Sequence, residues 1–178
     1  MKKILALLLC IFVCLSFVAC GNSENEIAPT GMKLASDKEV PDYKLFVPEA
    51  WTVETSTGTT TACLRTTTGD TLATFVASFA EAASGTTLDN YFESFSKQFS
   101  EVFGDPQNVT IEDTTLSGKA AKRYTYTMVY GDVEYKFQQV ICIRENRVYT
   151  LTYSSTTEKF DDHVEDMTLI LSNFKFTK

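Results

Sequence analysis

The pattern that most constrains this chain is a set of three alternating segments, 118–130, 133–144 and 147–155, joined by tight turns. Gly131-Asp132 is a two-residue hairpin signal. If Tyr130 opposes Val133 across it, Met128 meets Tyr135, Tyr126 meets Phe137 and Tyr124 meets Gln139 on one face, because side chains along a strand alternate. The reverse face then pairs Val129 with Glu134, Thr127 with Lys136 and Thr125 with Gln138. Carrying the chain through a second turn at Glu145-Asn146 sets Cys142, Val140 and Gln138 against Tyr149, Leu151 and Tyr153 on that reverse face. Apolar residues thus stand on both sides of one antiparallel meander, and each side needs a cover.

Two helical segments can supply the covers. Leu88, Tyr91, Phe92, Phe95, Phe99, Val102 and Phe103 recur at three- and four-residue steps, which predicts an amphipathic helix with Thr86 or Thr87 as its cap and Gly104 and Pro106 as its stop. Rings at that spacing are core, not a cofactor box. A last helix is expected from about Thr157 to Leu171, with Phe160, Val164, Met167, Ile170 and Leu171 inward and capping-box spacing at Ser155 and Glu158. Upstream, 61–68 and 71–79 read as strands across a Gly69-Asp70 turn, with Ala62, Leu64, Phe75 and Ala77 on one face. Cys63, Arg65, Thr74 and Val76 take the other face. Tyr43 to Val47 reads as a short strand stopped by Pro48, Gln107 to Leu116 as a weaker one, and Phe174-Lys175-Phe176 as a closing strand.

Several short segments fit one known plan. Phe46-Val47-Pro48-Glu49-Ala50-Trp51-Thr52-Val53 resembles the opening of PsbP-like proteins. Gly118-Lys119-Ala120-Ala121 before a long hairpin, Tyr149 to Tyr153 before the last helix, and Ser172 to Phe176 at the end are similar to the same family. The resemblance covers 43–178. It implies an α+β fold, an α-β-α sandwich with a central antiparallel sheet and a helix on each face. It also implies a non-catalytic protein: the family includes extrinsic subunits of photosynthetic complexes, a Ran-binding factor and bacterial envelope lipoproteins, and it brings no catalytic motif to carry over.

The first residues carry an address. Met1-Lys2-Lys3, an apolar run from Ile4 to Val18 and a small-residue junction at Ala19-Cys20-Gly21 describe a secretory signal. Phe17-Val18-Ala19-Cys20 resembles a bacterial lipobox, so residues 1–19 are expected to leave as a signal peptide and Cys20 to be the lipid attachment site. Two acyl chains suffice for stable anchoring where one is marginal. An uncleaved anchor or a free exported protein are the competing readings, since a membrane span needs about 20 apolar residues. Residues 20–42 are polar and aperiodic, and read as the lipidated cysteine and a flexible spacer leading to one domain at 43–178. The expected location is the outer face of the cytoplasmic membrane.

Charge and cysteine usage narrow the chemistry. The net charge is −7 at neutral pH and becomes more negative once Lys2 and Lys3 are removed, which disfavours nucleic acid and anionic lipid surfaces. Apart from Cys20, the chain beyond the leader keeps Cys63 and Cys142. Closing their loop of about 80 residues would contribute about 4 kcal/mol on the chain-entropy estimate. Two buried thiols are the favoured reading. No Cys-x-x-Cys or Cys/His spacing suggests structural zinc.

His163, the one histidine, sits among Asp161, Asp162, Glu165 and Asp166. Asp162, His163 and Asp166 are the weak candidates for a metal, yet the inward stripe passes through Phe160, Val164 and Met167, so the acids are expected to face water and serve the helix dipole. No nucleophile elbow or phosphate-binding glycine loop occurs. Trp51, Tyr149 and Tyr153, from a wider set of tyrosines, are the candidates for a binding surface. The expected function is a membrane-anchored accessory module that binds a protein or a small apolar ligand without a cofactor. The alternatives are an envelope hydrolase using an acidic pair, or a carboxylate/His metal-binding module.

Overall fold

Residues 28–36, 40 and 42–177 are described by a computed structural model. The expected signal peptide, residues 1–19, and Cys20 lie outside the described residues. Short strands β1 (Met32–Leu34), β2 (Tyr43–Lys44) and β3 (Phe46–Pro48) lead into β4 (Thr52–Ser56), β5 (Thr59–Arg65) and β6 (Thr71–Glu81). Helix α1 (Leu88–Phe103) follows, then β7 (Gln107–Leu116), β8 (Lys119–Tyr130), β9 (Val133–Arg144) and β10 (Arg147–Thr156). A 3-10 turn (Asp161–His163), helix α2 (Val164–Asn173) and β11 (Lys175–Phe176) end the chain. The main sheet is antiparallel with the order β4-β5-β6-β10-β9-β8-β7.

The meander has the expected register. Tyr130 opposes Val133 and Tyr124 opposes Gln139, while Tyr149 and Tyr153 oppose Cys142 and Gln138. On its other side β10 pairs with β6, setting Phe79 against Tyr149, Ala77 against Leu151 and Phe75 against Tyr153. Both faces are covered. On one, Phe75, Ala77, Leu151 and Tyr153 form a core with Met32, Phe46, Trp51, Met167, Ile170 and Phe174. On the other, Phe92 of α1 packs with Tyr124, Tyr126, Met128, Phe137, Ile141 and Val148. Offset ring stacking fixes that contact: Phe92 lies 4.2 Å from Tyr124, centroid to centroid, and Tyr126 lies 5.1 Å from Phe137.

Helix α1 begins as its sequence dictates. Thr87 Oγ1 accepts from the Asn90 backbone N–H at 3.2 Å, and Asn90 Oδ1 accepts from the Thr87 N–H at 2.8 Å. Gly104, at φ +88°, ends the helix in a backbone region that side chains with a Cβ rarely adopt. Leu88, Tyr91, Phe92 and Phe95 point to the sheet side as expected. The side chains of the remaining stripe members, Phe99, Val102 and Phe103, lie outside the described residues.

Three expectations need correction. The spacer does not extend to residue 42: β1 pairs with β3, Met32 against Pro48 and Leu34 against Phe46, and Met32, Ala35 and Val40 are buried. Scattered apolar residues without a period can still fill a long-range gap in the first core. The last helix does not start at Thr157, because β10 runs on to Thr156 and Ser155 Oγ donates to the Leu72 carbonyl at 2.6 Å instead of capping. Gly69-Asp70 is not a two-residue turn: the Thr66 N–H bonds to the Asp70 carbonyl, and a register shift at Leu64/Arg65 accommodates the longer loop. The face assignment nonetheless holds, with Ala62 opposite Phe75 and Cys63 opposite Thr74.

Candidate functional site

The acidic cluster does not converge. Asp161 lies 3.6 Å from Lys136 Nζ and Asp162 lies 3.3 Å from Lys159 Nζ. Asp166 turns inward, where its Oδ2 accepts from the Trp51 indole N–H at 2.9 Å. Among the described residues no group of His, Cys, Asp and Glu side chains could hold a metal ion, so Asp162, His163 and Asp166 form no ligand set.

The three aromatic residues expected at a binding surface are core residues. Trp51 and Tyr153 are 0 % exposed and Tyr149 is buried with them. The Tyr153 hydroxyl donates to the Phe160 carbonyl at 2.8 Å, and Tyr149 packs edge-on against Phe176 with a centroid distance of 4.9 Å. Burial pushes both phenols above the usual tyrosine range. Of the wider tyrosine set, Tyr130 is the exposed member, at the tip of the β8–β9 hairpin.

Cys63 and Cys142 are buried and form no disulfide with each other. Register explains why. Cys63 shares a face with Thr74 and Ser154, whereas Cys142 shares the opposite face with Tyr149 and Phe79. With β6 and β10 between their strands, the thiols are separated by about 14 Å of sheet and cannot meet the ~7 Å Cα limit for a bridge.

That same register also sets short polar side chains side by side on the α1 face of the sheet. On the α1 side of the sheet, rows across β5, β6 and β10 read Thr59-Ser78-Thr150, Thr61-Val76-Thr152 and Cys63-Thr74-Ser154. All but Thr61 are buried, yet neither hydrophobic core includes a residue from this face of β5 or β6. Helix α1 lies over β8 and β9 and meets β10 through Tyr91, whose hydroxyl is 3.5 Å from Thr150 Oγ1. These rows of short side chains span about 10 Å across the three strands and about 14 Å along them.

Gln139 of β9, which is 4 % exposed, flanks these rows. Its Nε2 donates to Thr152 Oγ1 at 3.1 Å, while its Oε1 has no hydrogen-bond partner among the described residues. Tyr91, stacked on Phe95 at 6.3 Å, flanks them from the helix. Its burial raises the phenol above its ordinary range, so at neutral pH it carries its proton and can donate. The far margin is edge strand β4, where Thr52, Glu54 and Ser56 are exposed. The sequence signal was present: Ser and Thr alternate with the core residues of β6 and β10.

No protein-family model and no curated protein sequence matches the chain. Solved structures do. PsbP (CyanoP) of Synechocystis sp. PCC 6803 superposes with a TM-score of 0.61 at 14% identity, over 87% of this chain and 98% of that one. LpqN of Mycobacterium tuberculosis, a protein involved in cell envelope biogenesis, gives 0.56 at 13% identity, over 83% of this chain and 91% of that one. A Pseudomonas aeruginosa protein of unknown function, PA94, gives 0.56 at 18% identity, over 80% and 94% respectively. The chain therefore has the PsbP-like α+β fold, which by itself assigns no activity.

Proposed function

We propose that this protein is an envelope lipoprotein, held at the outer face of the cytoplasmic membrane by lipid on Cys20, and that it works there as a non-catalytic binding or accessory module. The observation that carries the reading is the sheet face beside α1: polar side chains withdrawn from solvent, outside both cores, with an unused acceptor on Gln139. Buried polar groups normally have partners, and the unpaired Gln139 Oε1 supports a contact made with a bound partner at this face. The lipobox-like Val18-Ala19-Cys20 supplies the tether, and the envelope role of LpqN, a fold neighbour, is consistent with that location. Binding of an apolar ligand at Trp51, Tyr149 and Tyr153 is not part of the proposal, since those rings are enclosed.

Metabolic labelling with a fatty-acid probe tests the tether. Label on the wild type that disappears in Cys20→Ser, together with loss of the variant from the membrane fraction, supports it; equal membrane retention without label refutes it. Crosslinking in intact cells tests the module. A partner or ligand recovered from the wild type supports binding, whereas purified protein that hydrolyses an envelope substrate would return the enzyme reading.

A further inference from the structure

We propose that the tip of the β8–β9 hairpin is a docking surface for a basic protein segment at the membrane face, one that presents an apolar side chain between lysines or arginines. The proposal rests on the tethered-module reading and adds a contact about 20 Å along β9 from Gln139. Hairpin tips are ordinarily built from small polar turn residues. Here Val129, Tyr130 and Val133 flank the Gly131-Asp132 turn and are 60 %, 54 % and 41 % exposed. Single exposed apolar residues are common, but three around one turn form a patch, and a protruding tyrosine is a side chain suited to anchoring a partner.

Charge selects the partner. The tip stands beside the segment that leads into α2: Thr157 Oγ1 donates to the Glu134 carboxylate at 2.9 Å, and Lys136 Nζ lies 3.6 Å from Asp161. This end therefore sets Asp132, Glu134, Glu158, Asp161, Asp162 and Glu165, all exposed, against Lys136 and Lys159. The excess of carboxylates repels an anionic lipid surface and draws a cationic partner, whose apolar side chain meets Tyr130 and the two valines. Chain entry places that partner. One row runs from Thr52 through Cys63, Thr74, Ser154 and Phe137 to Tyr126, so the residues just before Thr52 lie at the hairpin-tip end. There the Glu49 N–H donates to the Gly31 carbonyl, which brings the chain in from Cys20 at the same end. Three side chains are far fewer than the ~20–30 residues per side of a stable interface, so the contact relies on the effective concentration that a shared membrane supplies.

The test uses the full chain as processed in cells, placed on phosphatidylcholine nanodiscs, or kept in buffer if it carries no lipid. Two fluorescent peptides are titrated by anisotropy, one alternating lysine and leucine and the other glutamate and leucine, with empty nanodiscs as background. Saturable binding of the lysine peptide alone is expected, weakening as salt rises. Tyr130→Ser and the double variant Asp161→Asn with Asp162→Asn should each lower its affinity about fivefold or more. Ile111→Ser, which removes an exposed apolar side chain from β7, should leave it unchanged. In cells, the photocrosslinking residue benzoylphenylalanine at position 129 should join to a lysine- or arginine-rich protein segment. The proposal is overturned if both peptides bind alike, if Tyr130→Ser binds as the wild type does, or if the crosslink at position 129 is to phospholipid. Failure of the tether shows in fatty-acid labelling of Cys20, and failure of the docking surface in the titration, so the two are told apart.

Discussion

The indole of Trp51 joins two distant parts of the chain through one bond, its N–H reaching Asp166 on α2 from the loop before β4. Trp51→Phe keeps most of the apolar volume but leaves a partly buried carboxylate without its donor, and should lower unfolding free energy by about 1–3 kcal/mol. Asp166→Asn retains an acceptor and should cost less; urea unfolding of both variants checks the order. The buried tyrosines give a pH prediction. Burial raises the phenols of Tyr126 and Tyr153 above their ordinary value of 10.0. The folded state thus favours the protonated form, so the stabilisation is complete below pH ~10 and is lost as pH rises beyond it. Spectrophotometric titration should show these phenols ionising only as the protein unfolds. Tyr126→Phe should move the alkaline unfolding midpoint upward, since no buried phenol there would need to ionise; an unchanged midpoint would rule out its contribution. At this scale the sequence placed Trp51 among candidates for a binding surface, because its partly buried bond to Asp166 depends on a residue far along the chain.

Among the elements, α1 rests on a local signal that can be removed cleanly. Thr87→Ala deletes the hydroxyl that accepts from Asn90 and should cost about 1 kcal/mol, the usual effect of losing an N-cap. Thr87→Ser retains the acceptor and should restore most of it, as read by denaturant midpoints at constant slope. The same locality explains which elements could be read in advance. Gly131-Asp132 and the alternation around it determine the β8–β9 register within a few residues. The start of α2 could not be read that way. Ser155 and Glu158 have capping-box spacing, but β10 claims Ser155 through its bond to Leu72, a strand away. The hydroxyl face of β5, β6 and β10 was hidden for a different reason: serine and threonine give no hydrophobic periodicity of their own. They become a surface only when three strands stand in register.

For the molecule as a whole, the two faces of the sheet are closed differently, and the contrast locates the boundary of the domain. Helix α1 closes β8 and β9 with stacked rings and leaves the hydroxyl rows of β5 and β6 outside its core. The opposite face is sealed by α2 together with the early strands, including residues that composition assigns to a spacer. Met32 is the decisive position, because it is buried in that core yet lies ahead of the expected domain start at residue 43. Were it part of a solvated linker, Met32→Ala would change stability by no more than ~0.5 kcal/mol, as at other surface sites. As a core residue it should cost about 2–5 kcal/mol through lost burial and the cavity left behind. Guanidinium unfolding of the two forms separates those values, provided the slope is unchanged. The outcome also sets the tether: with folding begun by β1, the twelve residues from Cys20 to Met32 can span at most ~42 Å, so a lipid at Cys20 would hold the sheet within about that distance of the membrane surface.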